Sequence, residues 1–451
     1  MASTYLQKVP SSVGSTTTAT FSFWVKIGGT ATQAIYTVHD GSAQFDIFVR
    51  NSIGLVDFYG YNGSSFDFRL HTSRKLRDHN AWYHIVCKVD LTNSTQTDRA
   101  ILYINGVRET AFSIETYPSN ASATAIFSKN STTTIGATHT GGSDFDGVLS
   151  HFHFCDGYAY DASTFGSTDA TTGEWKINTN PNVQYGTNGF FLFKDNASTT
   201  DQSGQGNNWS VTAGTLTKTE DCPNNVFATW NKNLAMNSTM SLANGNTSGT
   251  TASNYSNGAS NVWFSTLGMS SGKFYCEMKL SAASANQGEM VGVGYDLSKF
   301  QQGGTVSAYN IGYISEGWSY MGAEGKIKNN NSDVLTGMPT WGTNDIVCMA
   351  IDLDNYKLYF RKNGDAWINS GNPESGATGT GAVSLTSGKT YFFACSDASS
   401  GNTYTYQANF GNGFFGTTAV SSAGTNASNN GIFEYDVPAG YTALSTKGLN
   451  L

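Results

Sequence analysis

Charged residues are scarce in this chain. Asp, Glu, Lys and Arg make up 13% of its 451 residues, about half of the share that is usual in globular proteins. The net charge is −8, and basic residues cluster once, at 74–77 between His71 and His79. We interpret that cluster as a solvated loop rather than as an anion site. Because binding to a phosphate backbone relies on clustered Lys and Arg, the composition argues against a nucleic-acid partner.

Long apolar runs are missing as well. No stretch of the sequence approaches the roughly 20 apolar residues that span a bilayer, so we expect no membrane partner. The first residues, Met1–Gly14, lack the basic and apolar regions of a secretory signal. We therefore expect synthesis in a cytoplasm, and use either there or in a particle that assembles there.

The six cysteines include no Cys-x-x-Cys pair. Five of the cysteines stand among strand-forming residues, and only Cys222 lies in a predicted loop. The pattern predicts buried free thiols, which agrees with assembly in a reducing cytoplasm.

The sequence contains a series of short β-strand patterns. Runs rich in Val, Ile, Phe and Tyr are separated by turns of Gly, Asn and Ser, and no segment repeats its apolar residues every 3.6 positions. Such spacing is typical of antiparallel sandwiches and jelly rolls. The predicted strands are 21–27, 44–49, 55–61, 82–91, 100–105, 132–136, 147–155, 262–267, 273–280, 289–295, 309–314, the hairpin 346–360, 390–395 and 404–410.

One pattern occurs twice. Ile85–Gly106 and Ile346–Gly364 both run from Ile-Val-Cys through an Asp-Leu pair and a polar turn to Leu-Tyr and a final Asn-Gly. Asn-Gly readily adopts the positive φ that tight hairpin turns need, so each copy is predicted to be a hairpin. Two such hairpins, each flanked by many short strands, predict two β-rich domains of related architecture.

The order of motifs in the first half resembles a known family. FSFWVK, AWYHIVCKVD, ILYINGV, TTTIG and FDGVLSHFHFCDGYAYDASTFG follow one another as in laminin-G-like, concanavalin A-type domains. The next segments, TGEWKINTNPNVQYGTNGFFLFKDN and DQSGQGNNW, are similar to a form of that domain found in virion proteins of bacteriophages, especially marine phages and cyanophages. The resemblance covers most of residues 1–218 and implies a β-sandwich in a phage structural protein.

The second half resembles a SPRY domain, which is itself a concanavalin-like β-sandwich. GKFYCEMKL, MVGVGYD, YNIGY, IVCMAIDLDNYKLYFRKNG, TYFFACSD and ANFG occur in the order of that family, and FEYDVPAGYTAL near the C-terminus also suits it. The match spans about residues 262–446. SPRY domains are binding modules without catalysis of their own, so the resemblance implies a binding role.

These patterns together predict an all-β chain of two tandem concanavalin A-like antiparallel β-sandwiches, or jelly rolls. The predicted domains are 1–218, which is laminin-G-like, and 262–451, which is SPRY-like. Residues 219–261 are rich in Ser, Thr, Asn and Gly. They are predicted to form an irregular connector, or the first edge strand of the second domain.

Catalytic motifs are weak. Gly268–Gly272 matches Gly-x-Ser-x-Gly with Ser270 at its centre, but a nucleophile elbow needs a helix after it, and a strand pattern follows here. Glycoside hydrolases use paired carboxylates, which concanavalin-like folds place in runs such as Glu-x-Asp-x-x-Glu, and the sequence has no such run. We therefore expect that the protein is not an enzyme and has no cofactor.

Two metal hypotheses remain. His151 and His153 alternate with phenylalanines, which predicts both imidazoles on one strand face. Around a threefold axis, three copies would supply six nitrogens to a metal ion; the alternative is a pair of exposed strand histidines. Asp144 and Asp146 lie in a turn that could bind calcium with the help of backbone carbonyls. Calcium needs six or more oxygens, so the alternative is a plain Asp-rich turn.

Three aromatic residues form the remaining candidate site. Trp318, Tyr320 and Trp341 fall in a predicted loop-rich stretch between two core strands of the SPRY-like domain, where binding surfaces of that family lie. Planar rings in such loops could stack on sugars or on a partner protein. The alternative is that they cap the ends of the sandwich, because Trp is usually mostly buried.

These observations predict a non-enzymatic structural protein of a phage virion, exposed on the particle as a decoration, fibre or tail appendage. Its role would be assembly and adhesion, with other virion proteins and host-surface glycans as partners. We expect a homo-oligomer, most simply a trimer, with Met1–Gly14 near the attachment point. The rival hypotheses are a glycan-binding lectin or host receptor-binding protein, and a polysaccharide depolymerase, for which a carboxylate pair is missing.

Overall fold

The computed structural model describes residues 4–29, 31–50, 54–119, 127, 131–194, 197–234, 240–252, 261–285, 288–301, 309–399 and 401–450. The chain divides into two compact units, Met1–Lys218 and Thr219–Leu451. Both are built from antiparallel sheets, so the predicted all-β class is confirmed. Within the described ranges, no helix has the length and apolar character that a membrane span requires. Helical structure there consists of short 3-10 turns at Gln96–Asp98, Ala162–Thr164, Lys232–Leu234, Leu297–Gln301, Ile368–Ser370, Pro373–Thr378 and Gly448–Asn450.

The first unit is a sandwich of two large sheets. One sheet has the strand order β10, β6, β5, β4, β3, β11, β1, β16, the other has β15, β12, β2, β7, β8, β9, and β13 pairs with β14. The strands are β1 Tyr5–Lys8, β2 Thr18–Ile27, β3 Gln33–His39, β4 Gln44–Arg50, β5 Leu55–Tyr61, β6 Phe66–Lys75, β7 Trp82–Asp90, β8 Ala100–Ile104, β9 Val107–Arg108, β10 Phe112–Thr116, β11 Thr132–Ile135, β12 Gly147–Asp156, β13 Gly166–Thr168, β14 Trp175–Ile177, β15 Phe190–Leu192 and β16 Ser210–Ala213.

Alternation along β2 builds one side of the core of the first unit. Phe21, Phe23 and Val25 are fully buried and belong to the cluster that fills the space between the two large sheets. The ring centroid of Phe21 lies 4.7 Å from that of Tyr36 in the opposite sheet. Trp24, on the other face of β2, is buried as well. Both faces of this central strand are therefore covered, and only one of them is the sandwich core.

The second unit is also a sandwich of two large sheets. One has the order β17, β18, β29, β20, β25, β26, β27, with β32 parallel to β20, the other has β19, β28, β21, β22, β23, β24, and β30 pairs with β31. The strands are β17 Ser241–Ala243, β18 Ser248–Thr250, β19 Val262–Phe264, β20 Lys273–Ala283, β21 Glu289–Gly294, β22 Gly317–Met321, β23 Lys326–Asn329, β24 Ser332–Leu335, β25 Ile346–Asp352, β26 Lys357–Lys362, β27 Val383–Ser384, β28 Phe392–Asp397, β29 Tyr404–Asn409, β30 Phe414–Phe415, β31 Thr418–Ala419 and β32 Thr442–Ala443.

The larger sheet of the second unit is buried on both faces. Its inner face contacts the opposite sheet, where the ring centroids of Tyr320 and Phe360 are 5.6 Å apart. Its outer face carries Tyr275 and Cys348, which pack against Phe433 and other residues of the C-terminal segment. Because the C-terminal segment packs over the outer face of this sheet, polar groups on that face are buried.

Both predicted hairpins form, as β7 with β8 and as β25 with β26. Their shared letters, however, do not occupy equivalent positions. Cys87 faces the sandwich core of the first unit, whereas Cys348 faces outward, and its neighbour Met349 faces the core. In the Ile-Val-Cys segment the second copy is therefore displaced by one residue, and because side chains alternate along a strand, these matched letters point in opposite directions. The Asp-Leu and Leu-Tyr letters keep the same directions, since Leu91, Leu102, Leu353 and Leu358 all face a sandwich core.

The stretch 219–261, predicted as an irregular connector or a first edge strand, belongs to the second unit. β17 and β18 form one edge of its larger sheet, where Ser248 pairs with Gln407 on β29. Trp230 is fully buried in the sandwich core. The described part of this stretch thus contributes strands and core rather than a linker, because small polar residues are tolerated where a sheet edge meets solvent. Residues 235–239 and 253–260 of it lie outside the described residues.

One predicted strand is wrong. Residues 309–314 form a series of turns, with Gly312 at a φ of 88°. Ile311 is nevertheless buried, in a cluster with Phe264 and Met290 on the outer face of the smaller sheet. The strand at this place in the fold is β22, a few residues later, which pairs with β21. A buried apolar residue in a turn gave the same local pattern as a strand.

Candidate functional site

The three predicted aromatic ligand residues are buried. Trp318 and Tyr320 lie on strand β22 with 5% and 0% of their surfaces exposed, and Trp341 is 3% exposed. The Tyr320 hydroxyl donates a hydrogen bond to the backbone carbonyl of Pro339. The three rings therefore belong to the sandwich core, buried as the alternative required, but within the core rather than as caps on the ends of the sandwich. The prediction of a loop for Trp318 and Tyr320 is wrong, because the strand lies at Gly317–Met321 and not at 309–314.

Trp341 still borders a cleft of about 450 Å³, which we name the Lys362 cleft. Lys362 Nζ lies 3.1 Å from an Asp345 carboxylate oxygen and donates to the Thr340 carbonyl at 3.0 Å. The lysine charge is therefore neutralised inside the cleft. The lining residues are Glu289, Ala323, Thr340, Trp341, Gly342, Thr343, Asp345 and Lys362.

The two histidines proposed for a metal site lie in the interior of the first unit. His151 and His153 are 8% and 2% exposed, and both rings pack against Phe191. His153 Nδ1 shares a hydrogen bond of 2.9 Å with the Tyr185 hydroxyl. Burial, together with nearby cationic groups, holds the pKa of His153 well below its usual value. Neither imidazole is on the surface, so the pair is not placed to meet its copies around an axis.

Asp144 and Asp146 do not surround an ion-sized space with further ligands. Asp144 is exposed and Asp146 is half-buried. The Asp146 carbonyl already accepts hydrogen bonds from the backbone N–H groups of Gly28 and Gly29, at 2.7 and 3.2 Å. Among the described residues, no three His, Cys, Asp or Glu side chains are grouped closely enough to hold a metal ion.

Ser270 occupies an exposed bend, and strand β20 follows it. This arrangement lacks the helix of a nucleophile elbow, as the sequence predicts.

A Ser–His pair that the sequence does not signal lies in the first unit. Ser22 Oγ and His84 Nε2 are 2.9 Å apart, and Trp175 Nε1 donates to His84 Nδ1 at 2.9 Å. Because an indole N–H can only donate, Nδ1 must be the unprotonated nitrogen, and the proton of the neutral ring sits on Nε2. His84 therefore donates to Ser22 and cannot accept its proton, which rules out a nucleophile and general base.

A second pocket lies on the outer side of the larger sheet of the second unit and measures about 710 Å³. We name it the Arg361 pocket. Strand β26 supplies Arg361, the turns that follow supply Trp367 and Glu374, and the C-terminal segment closes the far wall. Its lining residues are Arg361, Trp367, Asn372, Pro373, Glu374, Thr425, Asn426, Ala427, Asp436, Val437, Pro438 and Ala439.

Arg361 is 8% exposed, which is unusual for a charged side chain. Its Nη2 donates to the Tyr275 hydroxyl at 3.2 Å and to the Asp436 backbone carbonyl. Its Nε is buried and makes no hydrogen bond to the described residues. The guanidinium carbon lies 4.7 Å from the ring centroid of Trp367, a cation–π contact. The groups that contact the guanidinium directly are thus neutral. The carboxylate of Asp436, in the pocket wall, is close enough for Arg361 to help lower its pKa, but the two form no ion pair in the described residues.

Glu277 lies beneath the pocket, one hydroxyl away from Arg361. The Tyr275 hydroxyl donates to Glu277 Oε1 at 3.1 Å. The same carboxylate accepts the backbone N–H groups of Glu434 and Tyr435, both at 2.9 Å. Glu277 is fully buried, and this loss of solvation raises its pKa to about 7 in spite of those donors. At neutral pH it therefore supplies only part of a negative charge.

Two carboxylates stand at the exposed rim of the pocket. Glu374 Oε1 accepts the Ala439 N–H at 2.9 Å. Asp436 Oδ1 accepts the backbone N–H and the hydroxyl of Thr425, at 2.7 and 2.8 Å. Those two bonds are the main cause of a lowered pKa of Asp436. In each of these bonds one carboxylate oxygen is the acceptor, so the other can accept hydrogen bonds from a ligand.

The sequence contained one usable signal for this pocket. Tyr359 and Arg361 alternate with Leu358 and Phe360 along β26, and in a strand such alternation separates two faces. The prediction that this hairpin is core accounts for Leu358 and Phe360, and the opposite face of the strand carries Tyr359 and Arg361. The walls contributed by residues 425–439 could not be predicted, because they depend on how the C-terminal segment packs over the sheet.

Comparison with known proteins gives similarity at the level of the fold. No curated protein matches the sequence significantly. The SPRY domain of human HERC1 is similar with 16% identity and a TM-score of 0.27, over 36% of this chain and 87% of that one. A heptameric SAP-like pentraxin from Limulus polyphemus shows 17% identity and a TM-score of 0.30, over 42% and 85% of the two chains. The TRIM65 PSpry domain shows 14% identity and a TM-score of 0.28, over 40% and 91%.

A family model matches the first unit. It is described as the concanavalin A-like lectin/glucanases superfamily, in its laminin G form, and it covers residues 2–163. Those residues include strands β1 to β12 and therefore most of both large sheets of the first sandwich. The first unit thus contains a laminin G-like, concanavalin A-like domain.

Proposed function

We propose that this protein is a non-enzymatic binding protein and that its Arg361 pocket holds a saccharide. The observation that carries the proposal is the pocket itself, in which a guanidinium, an indole ring and two rim carboxylates line about 710 Å³. Sugars present hydroxyl groups that both donate and accept, together with apolar ring faces that stack on Trp. The volume falls within the range usual for small-molecule sites.

The protonation states at the pocket support binding rather than hydrolysis. A glycosidase needs one carboxyl group that stays protonated near neutral pH as a general acid. The pKa of Asp436, at the rim, is lowered by its hydrogen bonds to Thr425. The pocket's neighbour with a raised pKa, Glu277, is fully buried and occupied by hydrogen-bond donors. We therefore propose a lectin-like role without catalysis.

We further propose that the protein acts on the surface of a phage particle, as a decoration, fibre or tail appendage. The support is the order of the sequence motifs in both halves and the neutral, Ser/Thr/Asn/Gly-rich composition. With few charges for long-range attraction, attachment would depend on short-range contacts repeated by symmetry. A homo-oligomer, most simply a trimer, and other virion proteins are the proposed partners, and a host-surface glycan is the proposed ligand.

The proposed attachment through Met1–Gly14 needs a test that spares the fold. Strand β1 lies inside the larger sheet, between β11 and β16, so its deletion would disrupt the sandwich. Val9 and Val13 are each 58% exposed and follow that strand. Changing both to Ser would remove an exposed apolar contact while leaving β1 intact, and we expect fewer copies of the variant in assembled particles.

Two experiments test the proposal as a whole. A glycan array with the purified chain should show binding that is lost in a pocket variant such as Trp367→Ala, and retained in the exposed-bend variant Ser270→Ala. Mass spectrometry of purified particles should find the chain at a fixed ratio to the major structural proteins, and light scattering should show an oligomer. An array without any bound glycan would reject the lectin role, and particles without the chain would reject the virion role.

A further inference from the structure

We propose that the saccharide held by the Arg361 pocket carries a carboxylate, and that this carboxylate pairs with the Arg361 guanidinium. This inference rests on the proposed function, which places a saccharide in the pocket, and it adds the chemical class of that saccharide. A uronic acid or a sialic acid would meet the description.

Arg361 is a buried cation without an ion pair to any carboxylate of the described residues. Its hydrogen bonds go to a phenol and to a backbone carbonyl, and its Nε has none. Removing a charge from water costs free energy, so a buried charge is normally paired with an opposite charge. Glu277 is separated from it by the Tyr275 hydroxyl. An anionic group of a ligand would supply the missing partner.

The adjacent residue shows the paired state for comparison. Lys362 is also directed into a cleft, but its amino group lies 3.1 Å from Asp345. Of these two neighbouring cations on one strand, Lys362 therefore has a protein carboxylate at ion-pair distance and Arg361 does not.

The rim of the pocket identifies the rest of the ligand. Glu374 and Asp436 place carboxylates there, and these can accept hydrogen bonds but cannot donate them. A second anionic group would be repelled at the rim, whereas hydroxyl groups would be bound. The Trp367 ring adds a flat apolar surface beside the guanidinium. The pocket thus suits one carboxylate at the floor and hydroxyl groups on a ring above it.

The test compares acidic sugars with neutral sugars of the same ring. Binding of glucuronate, galacturonate, N-acetylneuraminate, glucose and galactose to the full chain would be measured by ligand-detected NMR and calorimetry. We expect at least one acidic sugar to bind roughly ten- to a hundred-fold more tightly than the neutral ones, the factor that a charge-assisted hydrogen bond provides. Arg361→Gln should remove this preference, and the matched control Lys362→Gln, which removes the same charge one residue away, should keep it.

A second variant guards against a folding defect in Arg361→Gln. Glu374→Gln alters an exposed rim residue, keeps an acceptor oxygen and removes a negative charge, so acidic sugars should bind a few-fold more tightly to it. Equal binding of acidic and neutral sugars would refute the carboxylate inference and leave the saccharide site standing. Binding of acetate as tight as that of the acidic sugars would refute it too. No binding of any of the five sugars would refute the inference and the proposed function together.

Discussion

The side-chain carbonyl of Asn363 accepts a hydrogen bond from the backbone N–H of Ile346 at 2.7 Å. Asn105 makes the same bond to His84 in the first unit, at 2.8 Å. Both asparagines have a φ of 48° and precede a glycine. Each therefore ties the turn after its hairpin to the start of the first hairpin strand. His84 and Ile346 are therefore equivalent positions in the two hairpins. This equivalence is the same one-residue displacement that Cys87 and Met349 show in the two cores.

Asn363→Ala should destabilise the protein by roughly 1 to 3 kcal/mol, the sum of a lost buried hydrogen bond and of an alanine held in the left-handed region. The free energy of unfolding in urea measures the effect. Asn331→Ala is the matched control. Asn331 has a φ of 56° and an exposed side chain, so it bears the backbone cost alone, about 1 kcal/mol. Equal losses in the two variants would contradict the role of the Asn363 side chain.

The buried carboxyl group of Glu277 should make stability fall as the pH rises. Its pKa is raised from 4.5 to about 7, so between those values the folded chain holds a proton that the unfolded chain has released. Stability is thus present below about pH 4.5 and is lost through pH 7. The loss is on the order of 3 kcal/mol at most. Urea unfolding of the native protein at several pH values measures it.

Glu277→Gln is the variant that isolates this effect. It cannot titrate, so its unfolding free energy should change less over the same pH range. Its overall stability should be lower, because an amide nitrogen would face backbone N–H donors. The prediction concerns the slope of the unfolding free energy with pH, and not its absolute value. Asp46, whose pKa burial also raises to about 7, remains in both proteins and cancels in the comparison. Parallel pH profiles would contradict the prediction.

His84 should carry its proton on Nε2 and should not titrate between pH 5 and 8. The indole N–H of Trp175 fixes the tautomer, and burial lowers the pKa of His84 to about 3. Long-range proton–nitrogen NMR spectra of the imidazole distinguish the tautomers directly. Trp175→Phe removes the donor, and the proton should then be shared between Nδ1 and Nε2. A protonated Nδ1 in the native protein would refute the assignment.

All six cysteines should react as free thiols in the denatured, non-reduced protein. The structure shows them unpaired, five of them buried. In the native protein Cys222 should react first, because it alone is partly exposed, whereas the other five thiols are buried out of reach of a reagent. Labelling with a thiol reagent followed by mass spectrometry identifies the site. Cys222→Ser should abolish the fast reaction, and rapid labelling of Cys87 would contradict the buried core.

Strands could be predicted from the sequence because their signals are local. Alternation in 21–27 and the Asn-Gly dipeptides at 105 and 363 gave the hairpins and the sandwich class, and both Asn-Gly pairs have the expected positive φ. The strand predicted at 309–314 was wrong, because a turn that buries Ile311 has the same pattern of apolar residues as a strand. The pattern of apolar residues indicates which side chains are buried. It does not determine whether the backbone forms a strand or a turn, because that depends on contacts with residues distant in sequence.

The sites could not be predicted for the same reason. His151 and His153 were expected on a surface, but strand β15 pairs with β12 and brings Phe191 over both rings. The burial of Arg361 could not be predicted from the sequence. A single Arg in a strand is common, and this one is buried only because a segment distant in sequence covers it. Burial of a polar side chain depends on what packs above it, and local sequence does not contain that information.

The displaced hairpin limits how these two units can be recombined. An exchange of 85–106 for 346–364, aligned on the shared Ile-Val-Cys letters, would turn Cys348 into the core position of Cys87 and send Met349 outward. The hybrid should be destabilised, since its core-forming side chains would leave the sandwich core and crowd the layer that packs against Val86. An exchange shifted by one residue, with Met349 in the place of Cys87, preserves the side-chain directions of both copies. Gene-shuffling libraries built from sequence alignment alone would therefore discard the viable junction.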